Sequence, residues 1–240
     1  MVVLLSAPDT LRRLDREARR RGLDLRRVAA LRLRPGRGAP PTLARRRRAA
    51  VDTAIVTSRH AAGRLLSAWC RPLPGGRPVE LWAAGPGSAA RLRRLGYRRV
   101  RRGDGLGGEG IVRALGPRRR RIVHLRSDLA GTRLARALRA RGHRVTEVVA
   151  YRVEADTARL RRARPLLRRA AAWVVTSPSV ISAVRQVLGD SLRDVPVIVL
   201  GERTATAAAR AGFRRVQAVG PLSPQRFARR LVRAVDDAQT

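Results

Sequence analysis

The chain contains one pattern twice. "VVLLSAP" near the start returns 120 residues later as "IVHLRSD", and at that offset Val3 meets Val123, Leu5 meets Leu125, Gly22 meets Gly142 and Arg32 meets Arg152. A second pair follows. "AIVTS", ending at Ser58, matches "WVVTS", ending at Ser177; "GPGSAARLRRLGYRRV" from Gly85 matches "GERTATAAARAGFRRV" from Gly201, an offset of 116. A repeat of this length ties the fold to one supersecondary plan used twice. The 240 residues accommodate one large domain or two small ones.

Each half alternates short apolar runs with amphipathic stretches. Runs with no polar alternation read as strands buried on both faces. They fall at residues 2–5, 28–33, 54–57, 79–83 and 98–100, then at 122–125, 144–149, 172–176, 195–200 and 215–218. Helices are expected at 10–21, where Leu11, Leu14 and Ala18 share a face and Gly22 ends the run, and at 61–69, 89–95 and 110–115. Their counterparts are 132–141, 180–188, 204–211 and 224–235. This alternation predicts an α/β fold of parallel sheets, each helix-covered on both faces. Segment 34–41, with three prolines and two glycines, reads as a linker, its repeat partner 150–156 as a more extended one, and 71–78 and 115–119 as loops.

Composition narrows the function. All 54 basic residues are arginine, against 17 acids, for a formal net charge of +37. The arginines spread along the whole chain, as a GC-rich genome would produce. An Arg-rich binder of nucleic acid or another polyanion is the alternative this charge keeps open, although 3% aromatics leave few stacking platforms. Cys70 is alone, which excludes a disulfide scaffold; His60, His124 and His143 lack ligand spacing, so no metal is expected. The longest apolar runs, 170–175 and 195–201, have strand length, so no membrane span is expected. The opening residues are too short for a signal peptide, and a cytoplasmic location is expected.

The candidate chemistry sits at strand ends. Thr57-Ser58 and Thr176-Ser177 each close a predicted strand before a helix, where a hydroxyl either caps the helix or meets a ligand. Two such places in a duplicated chain favour a cleft between domains. Gly85-Pro-Gly-Ser88 and Gly201-Glu-Arg-Thr204 stand at other strand-to-helix turns, where free N–H groups attract anions and glycine admits close approach. An ordinary turn is the plain alternative. Gly103–Gly108 matches G-x-G-x-x-G with Asp128 some 20 residues on, but its helix stops at Gly116-Pro117 and its repeat partner, 220–224, is no phosphate loop. Tyr151 stands where the first half has Leu31, so its phenol reads as a task, or else as a half-buried linker aromatic. The arginine runs 45–48 and 118–121 read as solvated. With no nucleophile–base pair, H-E-x-x-H, P-loop or paired carboxylates, chemistry must come from positioning and hydrogen bonds.

Together "VVLLSAP", "AIVTSRHAAGRL", "AAGPGSAARLRRLGY", "IVHLRSD", "GHRVTEVVAYR", "WVVTSPSVISAV" and "VLGERTATAAARAGF" resemble the uroporphyrinogen-III synthase family over almost the whole chain. The resemblance implies two α/β domains joined by a two-stranded linker: residues 1–33 with 154–240, and 34–153, with linker strands near 28–34 and 148–154. It implies a cofactor-free cyclising lyase, monomeric, of tetrapyrrole biosynthesis. Its substrate would be hydroxymethylbilane, a linear tetrapyrrole with eight carboxylic acids, which loses water and closes with ring D inverted through a spiro intermediate. Tyr151 would then assist departure of the hydroxyl, while Thr57, Ser58, Ser88, Ser177, Ser179 and Thr204 would bind substrate, with Arg59 and Arg203 as neighbours. The sequence departs from the family at Ser6-Ala7-Pro8, often Thr-Arg-Pro; at Ser88, often Thr; and at Arg59-His60, often a small residue and Asn. A two-domain receptor that closes on its ligand without chemistry is the remaining reading.

Overall fold

The structure is a computed structural model and describes residues 1–6, 20–36, 51–62, 79–103, 107–191, 193–220 and 224–239. The sequence-predicted helices at 10–21 and 61–69, the loop at 71–78, the arginine run at 45–48 and Cys70 lie wholly or largely outside these residues, as do most of the 34–41 linker and the centre of the Gly103–Gly108 loop.

The described strands are β1 (Val2–Ser6), β2 (Leu25–Ala29), β3 (Leu31–Pro35), β4 (Thr53–Val56), β5 (Glu80–Ala83), β6 (Val100–Arg102), β7 (Arg121–Ser127), β8 (Arg144–Ala155), β9 (Ala172–Val175), β10 (Val197–Val199) and β11 (Val216–Ala218). The helices are α1 (Pro86–Arg94), α2 (Gly108–Ala114), α3 (Arg133–Ala140), α4 (Thr157–Arg168), α5 (Pro178–Leu188), α6 (Glu202–Arg210) and α7 (Pro224–Gln239). The fold is α/β with mainly parallel sheets. One sheet runs β11-β10-β9-β1-β2 and the other β3-β8-β7-β4-β5-β6. Through the repeat, β1 and β2 stand where β7 and β8 stand, and β9–β11 where β4–β6 stand. The two sheets therefore have one strand order, and each takes strands from both halves of the chain. The chain forms two compact units, residues 1–33 with 154–240 and residues 34–153. It passes from one to the other within β3 and within β8, which are neighbours in the six-stranded sheet.

Strand alternation sorts side chains to the two faces of each sheet. In the 34–153 unit, Ala54, Val56, Val123, Leu125 and Val148 pack with Ala89 and Leu92 of α1 on one face. Ile55, Trp82, Ile122 and Val145 pack on the other with Ile111 and Val112 of α2 and Leu138 of α3. Helices thus cover both faces. In the other unit, Val2, Leu4, Val174 and Ile198 pack with Leu231 and Val235 of α7. The buried Trp173 meets Phe213 edge-on, and its indole N–H donates to the carbonyl of Leu167 in α4 at 3.1 Å. Each fully buried Leu, Ile or Val contributes about 1.5–3 kcal/mol.

Three features differ from the sequence reading. The single strand expected over 28–33 is two strands separated by Ala30, which belong to different sheets. Residues 157–168, which carry no expected helix, form α4, with Asp156 capping its start by accepting from the Arg159 N–H at 3.1 Å. The strand expected over 144–149 runs on to Ala155 as β8, taking in most of the extended segment 150–156.

Candidate active site

In the 34–153 unit β4, β5 and β7 run parallel, with Ile55 beside both Trp82 and His124. Their loops leave from the same carboxyl edge, the usual ligand edge of a parallel sheet. There lies an open cavity of about 330 Å³, lined by Thr57, Ser58, Arg59, Ala84, Gly85, Gly87, Ser88 and Gly107. One wall is the first turn of α1. Gly85 is its N-cap, no side chain caps it, and no acid lies in that turn. Its amide groups therefore present positive charge to the cavity. A Cβ at Gly85 or Gly87 would meet nothing within 4 Å, so a ligand can reach this backbone. Gly107 has φ +86°, which favours glycine, and its N–H donates to the Ala84 carbonyl at 3.1 Å.

Adjacent residues after β4 turn to opposite faces of the sheet. Ser58, two residues beyond Val56, meets Tyr151. The phenol O–H donates to Ser58 Oγ at 2.8 Å, and the His60 N–H donates to the same oxygen at 3.2 Å. The His60 ring stands edge-on to Tyr151, centroids 5.9 Å apart. Tyr151 packs against the cluster that holds Val56 and Val148. An odd separation of three residues from Val148 would put it on the opposite face of a regular strand. A bulge corrects this: Arg126 pairs with Val149 and Ser127 with Tyr151, leaving Ala150 unmatched on β7. Asp128 fixes the place. Its N–H donates to the Tyr151 carbonyl at 3.1 Å, and its carboxylate accepts from the N–H groups of Leu129 at 2.9 Å and Val153 at 3.1 Å.

Thr57, two residues beyond Ile55, turns to the other face and meets His124, with Oγ1 3.3 Å from Nε2. His124 is 1% exposed. Its strand partner is Glu147, whose carboxylate lies 4.0 Å from Nδ1. Glu147 also pairs with Arg126 at 2.9 Å and Arg139 at 3.4 Å. Burial pushes the His124 pKa down to about 4; Glu147 raises it, and Arg126 and Arg139 lower it, so the ring is neutral at physiological pH. Sequence reading weighed His124 only as a metal ligand and passed over Glu147. The available signal was an imidazole two residues beyond Ile122, inside an otherwise buried run.

Of the sequence-predicted residues, Thr57, Ser58 and Ser88 line this cavity and Tyr151 bonds to Ser58. Ser177, Ser179 and Thr204 lie in the other unit, after the neighbouring strands β9 and β10. Ser177 is the N-cap residue of α5, yet its hydroxyl makes no capping bond. Ser88 and Thr204 hold the third position of α1 and α6, each behind a glycine N-cap, and are 7% and 6% exposed. Asp128, weighed as a nucleotide-binding acid, is spent on backbone N–H groups. Among the described residues no His, Cys, Asp and Glu cluster could hold a metal ion, and no helix is long and apolar enough to cross a membrane.

The family model of uroporphyrinogen-III synthase HemD matches residues 12–222. Among solved structures, a uroporphyrinogen-III synthetase from Helicobacter pylori is 15% identical with a TM-score of 0.65, covering 97% of this chain and 99% of its own. A mutant uroporphyrinogen III synthase from the extremely thermophilic bacterium Thermus thermophilus is 19% identical with a TM-score of 0.60, covering 99% and 100%. No curated protein matches the chain. At these identities the two structures show a shared fold, and the family match spans most of the chain: it belongs to the uroporphyrinogen-III synthase family, cyclising lyases of tetrapyrrole biosynthesis.

Proposed function

We propose that the chain closes hydroxymethylbilane to uroporphyrinogen III with Tyr151 and Ser58 as a two-step proton relay at the cavity beside α1. The hydrogen bond from Tyr151 to Ser58 carries this reading. Ser58 Oγ accepts from both the phenol and the His60 N–H, which uses its two lone pairs. Its own proton is therefore left for a ligand. As the C–O bond of the terminal hydroxymethyl group breaks, Ser58 gives its proton to the departing oxygen and takes that of Tyr151. Water leaves, and the phenolate faces the azafulvene cation. Ring D then attacks through its substituted carbon, the spiro intermediate fragments and recloses, and the proton lost from ring carbon at closure restores the phenol. The enzyme's gain over spontaneous closure to the type I isomer is conformational control.

Substrate carboxylates are taken by the amide groups of the first turn of α1, with Arg59 beside them. The cavity is near the small end of the roughly 300–1,000 Å³ usual for ligand sites and suits part of a tetrapyrrole. Ser88 belongs to this set, and Ser177, Ser179 and Thr204 are proposed as carboxylate-binding residues at the corresponding strand ends of their own unit. A net charge of +37 attracts an octa-acid. The protein works as a cytoplasmic monomer without a cofactor; a single cysteine in 240 residues fits a reducing compartment.

Tyr151→Phe and Ser58→Ala test the relay. Each is expected to cut kcat by about 10²-fold, the lower range for general acid catalysis, with the double variant no worse than either. Equal rates for Tyr151→Phe would remove its role.

A further inference from the structure

The histidine behind the cavity is not used by the relay, yet it is built into the site. His124 of β7 and Glu147 of β8 are paired in register, and Thr57, just past the end of β4, lies on the same face, which carries Ile55, Ile122 and Val145. Among the described residues Nδ1 of His124 has no hydrogen-bond partner, and the group it faces is the Glu147 carboxylate. A neutral imidazole carries one N–H. Beside an anion at 4.0 Å the proton belongs on Nδ1, which leaves the Nε2 lone pair toward Thr57.

We propose that His124 is a positioning residue whose Nε2 accepts the hydrogen bond of the Thr57 hydroxyl, so that Thr57 offers the cavity only lone pairs and accepts a pyrrole N–H of the substrate. The inference rests on the tetrapyrrole reading above and deepens it. Thr57 and Ser58 then have opposite polarity side by side: Ser58 donates to the leaving oxygen, and Thr57 accepts from a ring nitrogen. Thr57 repels carboxylates, which are left to the α1 turn. A ring held by its N–H is held in one orientation in the bound substrate. The other charged groups around His124, Arg126 of β7 and Arg139 of α3, pair with Glu147 and hold its carboxylate in place.

Two measurements on the full chain decide this. Long-range ¹H–¹⁵N NMR of the wild type reads the tautomer: the Nδ1–H form is expected, and the Nε2–H form overturns the proposal. Steady-state kinetics on hydroxymethylbilane read the coupling. Thr57→Val and His124→Leu are each expected to raise KM by about five- to tenfold, the worth of one hydrogen bond, with kcat changed less than about twofold. The double variant should match either single, and His124→Gln, whose amide oxygen can accept a hydrogen bond from the Thr57 hydroxyl, should restore most of the loss. Additive effects in the double variant overturn the proposal, because a merely structural histidine would act independently of Thr57. If the wild type gives only the type I isomer, the synthase reading fails. The tautomer still decides the polarity of Thr57 in that event: Nδ1–H keeps it an acceptor, and Nε2–H removes the assignment.

Discussion

Two neighbouring hydroxyls have different partners because a strand sends successive side chains to opposite faces. Ser58 leans on Tyr151 and Thr57 on His124. The buried histidine also leaves a mark on stability. Burial depresses its pKa from 6.5 to about 4, so the folded protein keeps it neutral where the unfolded chain protonates it. The stability tied to that neutral ring is complete above pH 6.5 and lost as pH falls from there to about 4, by up to roughly 3 kcal/mol. His143 moves in the same direction, through burial and the neighbouring Arg120 and Arg141. In His124→Leu the denaturant midpoint should therefore fall less than in the wild type between about pH 7 and about pH 4.5. Midpoints that fall in parallel would contradict the burial cost assigned to His124.

The bulge and the caps act at the level of elements. Deleting Ala150 should restore regular pairing of β7 with β8 and leave Tyr151 two residues after Val148, still on the face of Ser58. Type III formation is therefore expected to survive the deletion, with the far-ultraviolet circular dichroism retained; a loss as deep as that of Tyr151→Phe would contradict this reading of the register. Asp156→Ala removes the cap of α4 and is expected to cost about 1 kcal/mol in urea unfolding without changing the isomer ratio. The sequence was most legible where burial on both faces leaves a short, mostly apolar run, as in β1, β4 and β9. It was silent where that signal is diluted. Only Leu160 and Leu167 are buried in α4, among arginines and around Pro165, so its apolar stripe is thin. The break at Ala30 depends on two sheets claiming adjacent strands, which no local pattern encodes. In the candidate site, Thr57, Ser58 and Ser88 were legible as hydroxyls after strands, and Tyr151 as the phenol standing where the first repeat has Leu31. The pairing of Glu147 with His124 depends on register across β7 and β8, which appears only when the strands pair.

The duplication and the compact units do not coincide across the whole molecule. Each repeat half supplies strands to both sheets, so a chain cut at the repeat boundary leaves each fragment with parts of two sheets and the whole of neither. Fragment 1–120 alone should show no cooperative unfolding, whereas fragment 34–153, which contains β4 to β7 and nearly all of β8, should unfold cooperatively in urea. Cooperative unfolding of 1–120 would contradict this division. The nucleic-acid reading of the +37 charge finds no support in the family match or the fold. The most direct test of the account is the isomer formed. Hydroxymethylbilane generated in situ is mixed with the purified chain, the products are oxidised, and uroporphyrins I and III are separated by chromatography. The account predicts that type III dominates; type I alone, from folded protein, would contradict it.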